Sequence, residues 1–91
     1  MKKTSKVSIR KIIFSFHSPF AEEVFVAGTF NNWEPRRDPL KKNMKGWKMS
    51  KYLEPGTYEY RFIVDGIWVD DPACMSRRPN QYGSENCILE V

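Results

Sequence analysis

Trp33 and Trp68 are the residues of this 91-residue chain whose surroundings suggest chemistry. Trp33 lies in an aperiodic stretch that reads as a loop and Trp68 just after the Asp65-Gly66 turn, and each is flanked by polar residues. An indole face carries negative quadrupole density, and a pyranose ring offers a face of C–H bonds with partial positive charge. Flat stacking of the two buries apolar area and adds that electrostatic attraction. The hydroxyls around the sugar edge then need donors and acceptors, for which Arg61, Ser84 and Asn86 are candidates. The same platforms suit single-stranded nucleic acid when Arg and Lys are added for the phosphates. The packing alternative is that Trp68 caps Ile63 across a strand pair while Trp33 anchors a loop on the core. Trp47, inside a periodic apolar stretch, is expected in the core.

Catalytic chemistry finds little support. The single histidine, His17, has no nucleophile motif beside it and reads as a turn residue before Ser18-Pro19. Glycoside hydrolysis needs two carboxyls facing each other across a cleft. Asp65 is accounted for by its turn, and adjacent Asp70 and Asp71 point to opposite sides of an extended chain. The expected answer is no catalytic residue, no metal and no cofactor. Cys74 and Cys87 lack zinc-ligand spacing and are expected as unpaired thiols in a cytoplasmic protein.

The elements that must hold these residues are strands. Tyr58, Tyr60, Phe62 and Val64 alternate with Glu59, Arg61 and Ile63, the period of a strand with one buried face. Asp65-Gly66 supplies the two positive-φ residues of a tight hairpin turn, which sets Val64 opposite Ile67, Ile63 opposite Trp68, Phe62 opposite Val69 and Arg61 opposite Asp70. Phe62 and Val69 then join the core, and Ile63, Trp68, Arg61 and Asp70 share the outer face. Upstream, Ile12, Phe14 and Phe16 define a first strand, and Glu22 to Gly28 a second with Val24 and Val26 inward, ended at Gly28 by a sharp backbone turn. Residues 29–46 show no period and read as a long loop, of which Thr29 to Trp33 is its ordered part. Gly46 to Leu53 forms a strand in which Lys51 falls on the inward parity and is expected to bend outward. Glu54-Pro55-Gly56-Thr57 matches a type II turn, 70–85 reads as irregular, and 86–91 closes the chain as a strand. These six or so strands predict an antiparallel β-sandwich of immunoglobulin-like kind as one domain over 7–91, preceded by a flexible tail, 1–6.

Composition fits one small domain: 41% of residues are hydrophobic and 14% aromatic. No run of about 18 apolar residues would span a membrane, and the basic start, broken by Arg10 and Lys11, does not read as a signal peptide. Residues 1–51 carry twelve Lys/Arg against four Asp/Glu, and 52–91 three against seven. The basic half favours a polyanion in principle, but its lysines are scattered over the tail and loops and read as a solvated surface, so nucleic acid is disfavoured.

Three motifs, GTFNNW (28–33), PGTYEYRFIVDGIWVDDP (55–72) and QYGSENCILEV (81–91), occur in the order and spacing of carbohydrate-binding module family 48, which the chain resembles from about Ile12 onward. That family includes the glycogen-binding domain of the AMP-activated protein kinase β subunit and the N-terminal domains of isoamylases and branching enzymes. The resemblance implies an early-set β-sandwich that binds α-1,4-glucans such as glycogen, starch and maltooligosaccharides without catalysis. It places the family's platform tryptophans on Trp33 and Trp68 and its basic contact on Arg61, where kinase members have lysine. The family's binding-loop leucine, threonine and asparagine fall on Tyr82, Ser84 and Asn86, Tyr82 being a departure. The implied partners are an α-glucan and, because no catalytic or kinase-binding extension accompanies the module, a glycogen- or starch-active enzyme or other protein met in trans. A protein-interaction module using the same aromatic face is the alternative from another class.

Overall fold

The computed structural model describes residues 8–91; the expected tail, 1–6, lies outside them. The strands are β1 (Arg10–Phe16), β2 (Val24–Gly28), β3 (Asp38–Pro39), β4 (Lys41–Asn43), β5 (Gly46–Leu53), β6 (Thr57–Val64), β7 (Ile67–Val69), β8 (Arg77–Pro79) and β9 (Glu85–Glu90), with a 3-10 turn at Thr29–Asn31. One antiparallel sheet runs β1-β5-β4; the other runs β3-β2-β6-β9-β8, with β7 folded back onto β6. Alternation decides which side chains lie between them. Phe14 and Trp47 from the small sheet meet Val24, Val26, Tyr60, Phe62 and Cys87 from the large one in a single buried cluster. Phe14 meets Tyr60 edge to face at 5.1 Å between centroids, and Phe16 meets Phe62 at 5.0 Å, the aromatic geometry that adds to area burial. The expected β-sandwich is the fold observed, and Trp47 sits in its core with Nε1 donating to the Ser18 carbonyl at 3.1 Å.

The hairpin pairs as its turn requires: Val64 with Ile67, Ile63 with Trp68, Phe62 with Val69. Asp65 and Gly66 have φ of 50° and 84°. Asp65 also ties the turn to the start of β2, its Oδ1 accepting from the backbone N–H of Glu22 and Glu23 at 2.9 Å each.

Several expectations are corrected. The 29–46 stretch is not one loop, since β3 pairs with β2 and β4 with β5; two- and three-residue strands are too short to show a period. Likewise 70–85 contains β8, paired with β9. Gly28 is extended, with φ −169° and ψ −173°, so no sharp turn demands glycine there. Close approach does, because a Cβ would collide with the Glu59 carbonyl oxygen and come within 2.8 Å of Phe30 Cε2 and 2.9 Å of Tyr60 Cβ. Gly56, at φ 157°, does not take the roughly 80° of a type II turn; it exchanges two 2.9 Å backbone hydrogen bonds with Val91 and so extends the β6–β9 ladder. Lys51 keeps its inward parity, lying 5.8 Å over the Phe30 ring and 3.3 Å from the Asp38 carboxylate. An ion pair at the sandwich edge satisfies the charge without bending the strand.

The cysteines are not free thiols. Cys74 and Cys87 form a disulfide that ties the 70–77 segment to β9, where Arg77 pairs with Cys87 in the β8–β9 register. Next to it, the Tyr60 hydroxyl donates to the buried Asp71 carboxylate at 2.5 Å. Burial first, and this hydrogen bond second, hold the Tyr60 pKa well above the ordinary tyrosine range.

Candidate functional site

The outer face of the large sheet carries the site, and its floor begins apolar. Phe25, Ala27 and Ile63 form a second buried cluster, covered by Trp33. Arg36 roofs Phe25, its guanidinium carbon 4.7 Å from the ring centre. The outward positions of β2 are therefore buried as well as the inward ones.

Trp33 is placed by an unusual stretch of backbone. Asn31, 3% exposed, reaches its Oδ1 to the Gly28 N–H at 3.0 Å and its Nδ2 to the Val26 carbonyl and to Asp38 Oδ2 at 3.2 and 2.7 Å. Asn32 and Trp33 then both adopt positive φ, 57° and 58°, a conformation rare for a large side chain and a marker of functional constraint. The Trp33 N–H closes the turn onto the Gly28 carbonyl at 2.9 Å. Trp68 arrives from β7 across from Ile63 and is 39% exposed. The two indoles lie on the same face, 6.4 Å apart between centroids and inclined at 41°. They form a bent surface, not a stacked pair. Trp33 thus packs on the core of this face and lines its surface at once.

The polar side follows from β6, β9 and the turn between β8 and β9. Arg61, its side chain 14% exposed, donates to Asp70 Oδ1 at 2.9 Å and to Ser84 Oγ at 3.1 Å; its Nε is buried with no partner among the described residues. Asn86 donates to Glu59 Oε1 at 3.1 Å, and Arg78 pairs with the other Glu59 oxygen at 2.9 Å. Tyr82 stands 82% exposed at the tip of the 80–84 turn. All six residues singled out from the sequence, Trp33, Arg61, Trp68, Tyr82, Ser84 and Asn86, line one groove of about 860 Å³, near the upper end of the ~300–1,000 Å³ usual for small-molecule sites. Glu59, Asn80 and Gln81 line it too and were missed. Asn80 had a signal in its three-residue spacing from Gly83, the Asn-first, Gly-fourth pattern of a type I β-turn. Glu59 had one in its strand parity with Arg61.

A smaller cleft of about 250 Å³ opens beside His17, Lys45 and Lys48. Its one tryptophan is the core residue Trp47, 7% exposed, so it offers no open indole face. No group of three or more His, Cys, Asp or Glu among the described residues could hold a metal ion. No helix among them is long and apolar enough to cross a membrane.

A sandwich with a bent aromatic surface and a polar groove on one sheet defines a recognition module. The family is specific: the profile described as "Glycogen recognition site of AMP-activated protein kinase" matches residues 11–91, and the chain belongs to that family. It is 42% identical over 73 residues to the human 5'-AMP-activated protein kinase subunit beta-2, covering 77% of this chain and 25% of the relative. Protein FLOURY ENDOSPERM 6, chloroplastic, of Oryza sativa subsp. japonica is 34% identical over 85 residues, 91% of this chain and 15% of the relative. Protein PTST homolog 2, chloroplastic, of Arabidopsis thaliana is 42% identical over 73 residues, 78% of this chain and 13% of the relative. The chain spans no more than a quarter of the length of each of these three.

Proposed function

We propose that this domain binds α-1,4-linked glucans, as found in glycogen, starch and maltooligosaccharides, and that it does so without catalysing a reaction on them. The observation that carries the reading is the Trp33–Trp68 pair, two half-exposed rings on one sheet face inclined at 41°. An α-1,4 linkage bends a glucan chain, so successive glucose units turn their faces progressively, and a bent pair of platforms meets them better than a flat one. Membership of the glycogen-recognition family supports the same ligand class.

Trp33, Trp68 and Tyr82 supply ring faces in this proposal, with Arg61, Ser84 and Asn86 at the sugar edge. A groove open along one side buries less ligand than a closed pocket, so the expected dissociation constant is roughly 10 μM to 1 mM, about −4 to −7 kcal/mol. Weak binding suits a module that tethers something else to a polymer with many sites, where avidity multiplies the effect. We propose a glycogen- or starch-active enzyme or other protein as the partner, and the cytoplasm as the location. Cell fractionation tests the location.

Isothermal titration with maltoheptaose tests the ligand. The wild-type protein gives saturable heat, and Trp68→Ala loses it with its melting temperature kept. Unchanged affinity in that variant removes the indole surface from the account; a stoichiometric protein partner that resists excess maltooligosaccharide would replace it.

A further inference from the structure

The polar side of the groove is already hydrogen-bonded to itself, and Asn80 stands at its centre. The Asn80 carboxamide oxygen accepts from the backbone N–H of Tyr82 at 2.9 Å, the N–H of Ser84 at 3.2 Å and the Ser84 hydroxyl at 3.1 Å. Its nitrogen donates to Ser84 Oγ and to Asn86 Oδ1, both at 2.9 Å. Ser84 Oγ therefore sits within hydrogen-bonding distance of both polar atoms of the Asn80 carboxamide and of Arg61. Arg61 is held between Asp70 and Ser84 by one N–H of each terminal nitrogen. The ring of Tyr82 is exposed on this side of the groove, its hydroxyl oxygen accepting from Gln81 Nε2 at 2.9 Å and its hydroxyl hydrogen open to a ligand. The tip that carries Tyr82 lies outside β8 and β9 and is held from within by Asn80, whose N–H also donates to the Ser84 carbonyl at 2.9 Å.

We propose that Asn80 is the positioning residue of the groove: its side chain fixes the 80–84 turn so that Tyr82 serves as a third ring platform and Ser84 is held at the groove wall beside Arg61. The proposal rests on the reading of the groove as a glucan site. An unbraced turn would have to be ordered at the moment of binding, and that entropy would be subtracted from the affinity. Asp at position 80 keeps the acceptor oxygens that form the turn and loses only the donor side.

The test is a double-mutant cycle read with maltoheptaose, with amide exchange as a ligand-free companion. Asn80→Ala is expected to weaken binding about tenfold, to the level of Tyr82→Ala, and the double variant to be no weaker than Tyr82→Ala alone. Asn80→Asp is expected within about threefold of wild type, because the turn survives. In the absence of sugar, the Tyr82 and Ser84 amide protons exchange slowly in wild type and Asn80→Asp and fast in Asn80→Ala, while β6 protection is unchanged. Wild-type affinity in Asn80→Ala overturns the proposal, as do multiplying losses in the double variant or an Asn80→Asp as weak as Asn80→Ala. Equal exchange in wild type and Asn80→Ala overturns it whatever the ligand. Absence of any maltoheptaose binding to wild type fails the glucan reading instead, and leaves the exchange result to judge the turn.

Discussion

Each sheet turns one face to solvent, and the two faces differ in what they do with exposed apolar side chains. The small sheet shows Ile13 and Tyr52, 56% and 66% exposed, more open than Trp68 at 39%. Yet they are not directly opposed, Ile13 lying across from Ser50 and Tyr52 across from Lys11, with Lys48 across from Ser15 further along, and neither lines either groove described above. On the large sheet two indoles incline toward each other over a buried cluster, and a hydrogen-bonded polar network borders them. Exposure of a large side chain is ordinary on protein surfaces. Convergence of ring faces and fixed polar groups in a concavity is the distinguishing feature of a ligand site.

The contrast extends to how each face is braced, and the largest expected effect follows from that. The disulfide and the Tyr60–Asp71 hydrogen bond both tie the 70–77 segment to the large sheet. Replacing both cysteines by serine removes a cross-link between residues 13 apart, worth about 3 kcal/mol for a loop of this length. Chemical denaturation should show that loss, and hydrogen exchange should rise first at 70–77 and β8 while β1 and β5 keep their protection. Equal loosening of both sheets would erase the difference in bracing.

The tyrosine gives a smaller, pH-dependent effect. Its pKa is raised in the folded protein, so its contribution is complete below the unfolded tyrosine pKa of about 10. It falls away as pH climbs from there toward the folded value, because the unfolded chain then loses its proton first. Denaturation at increasing pH should show stability declining above about pH 10, and Tyr60→Phe should flatten that part of the decline. At neutral pH the same substitution costs about 1.5–3 kcal/mol, the worth of a hydrogen bond to a charged acceptor. A decline identical in both proteins would assign it elsewhere.

Smallest of all is the effect on the lysine-rich face. Tyr52→Ala and Ile13→Ala should leave maltoheptaose affinity unchanged and shift stability by roughly 0.5 kcal/mol or less, as for exposed positions generally. A loss of glucan binding in either would move the site to the wrong sheet.

Much of the large sheet's face was legible in the sequence. A two-residue turn with period 2 on both sides fixes register, and so the placement of Ile63, Trp68 and Arg61 followed without coordinates. The six groove residues were found through tryptophans in polar surroundings and through family resemblance. What escaped notice depends on contacts distant in sequence or on atoms within a turn. The Cys74–Cys87 pairing needs the short β8 laid against β9, and β8 is too brief to betray itself by alternation. Gly28 looked like a turn residue because a close approach to Glu59 and Tyr60 leaves the same glycine in the sequence. Ser84 read as a free hydroxyl since its partner, Asn80, is identified only by the geometry of the turn, whereas the hairpin register had already set Arg61 opposite its partner Asp70.

The three tryptophans provide the most direct measurement of the central claim. Each indole N–H gives its own nuclear magnetic resonance signal, and Trp47, buried with its Nε1 on the Ser18 carbonyl, serves as an internal control. On titration with maltoheptaose the Trp33 and Trp68 signals should shift together along one saturation curve while the Trp47 signal stays in place. Stationary Trp33 and Trp68 signals, or a shift confined to Trp47, would contradict the assignment of the large sheet's outer face as the glucan-binding surface.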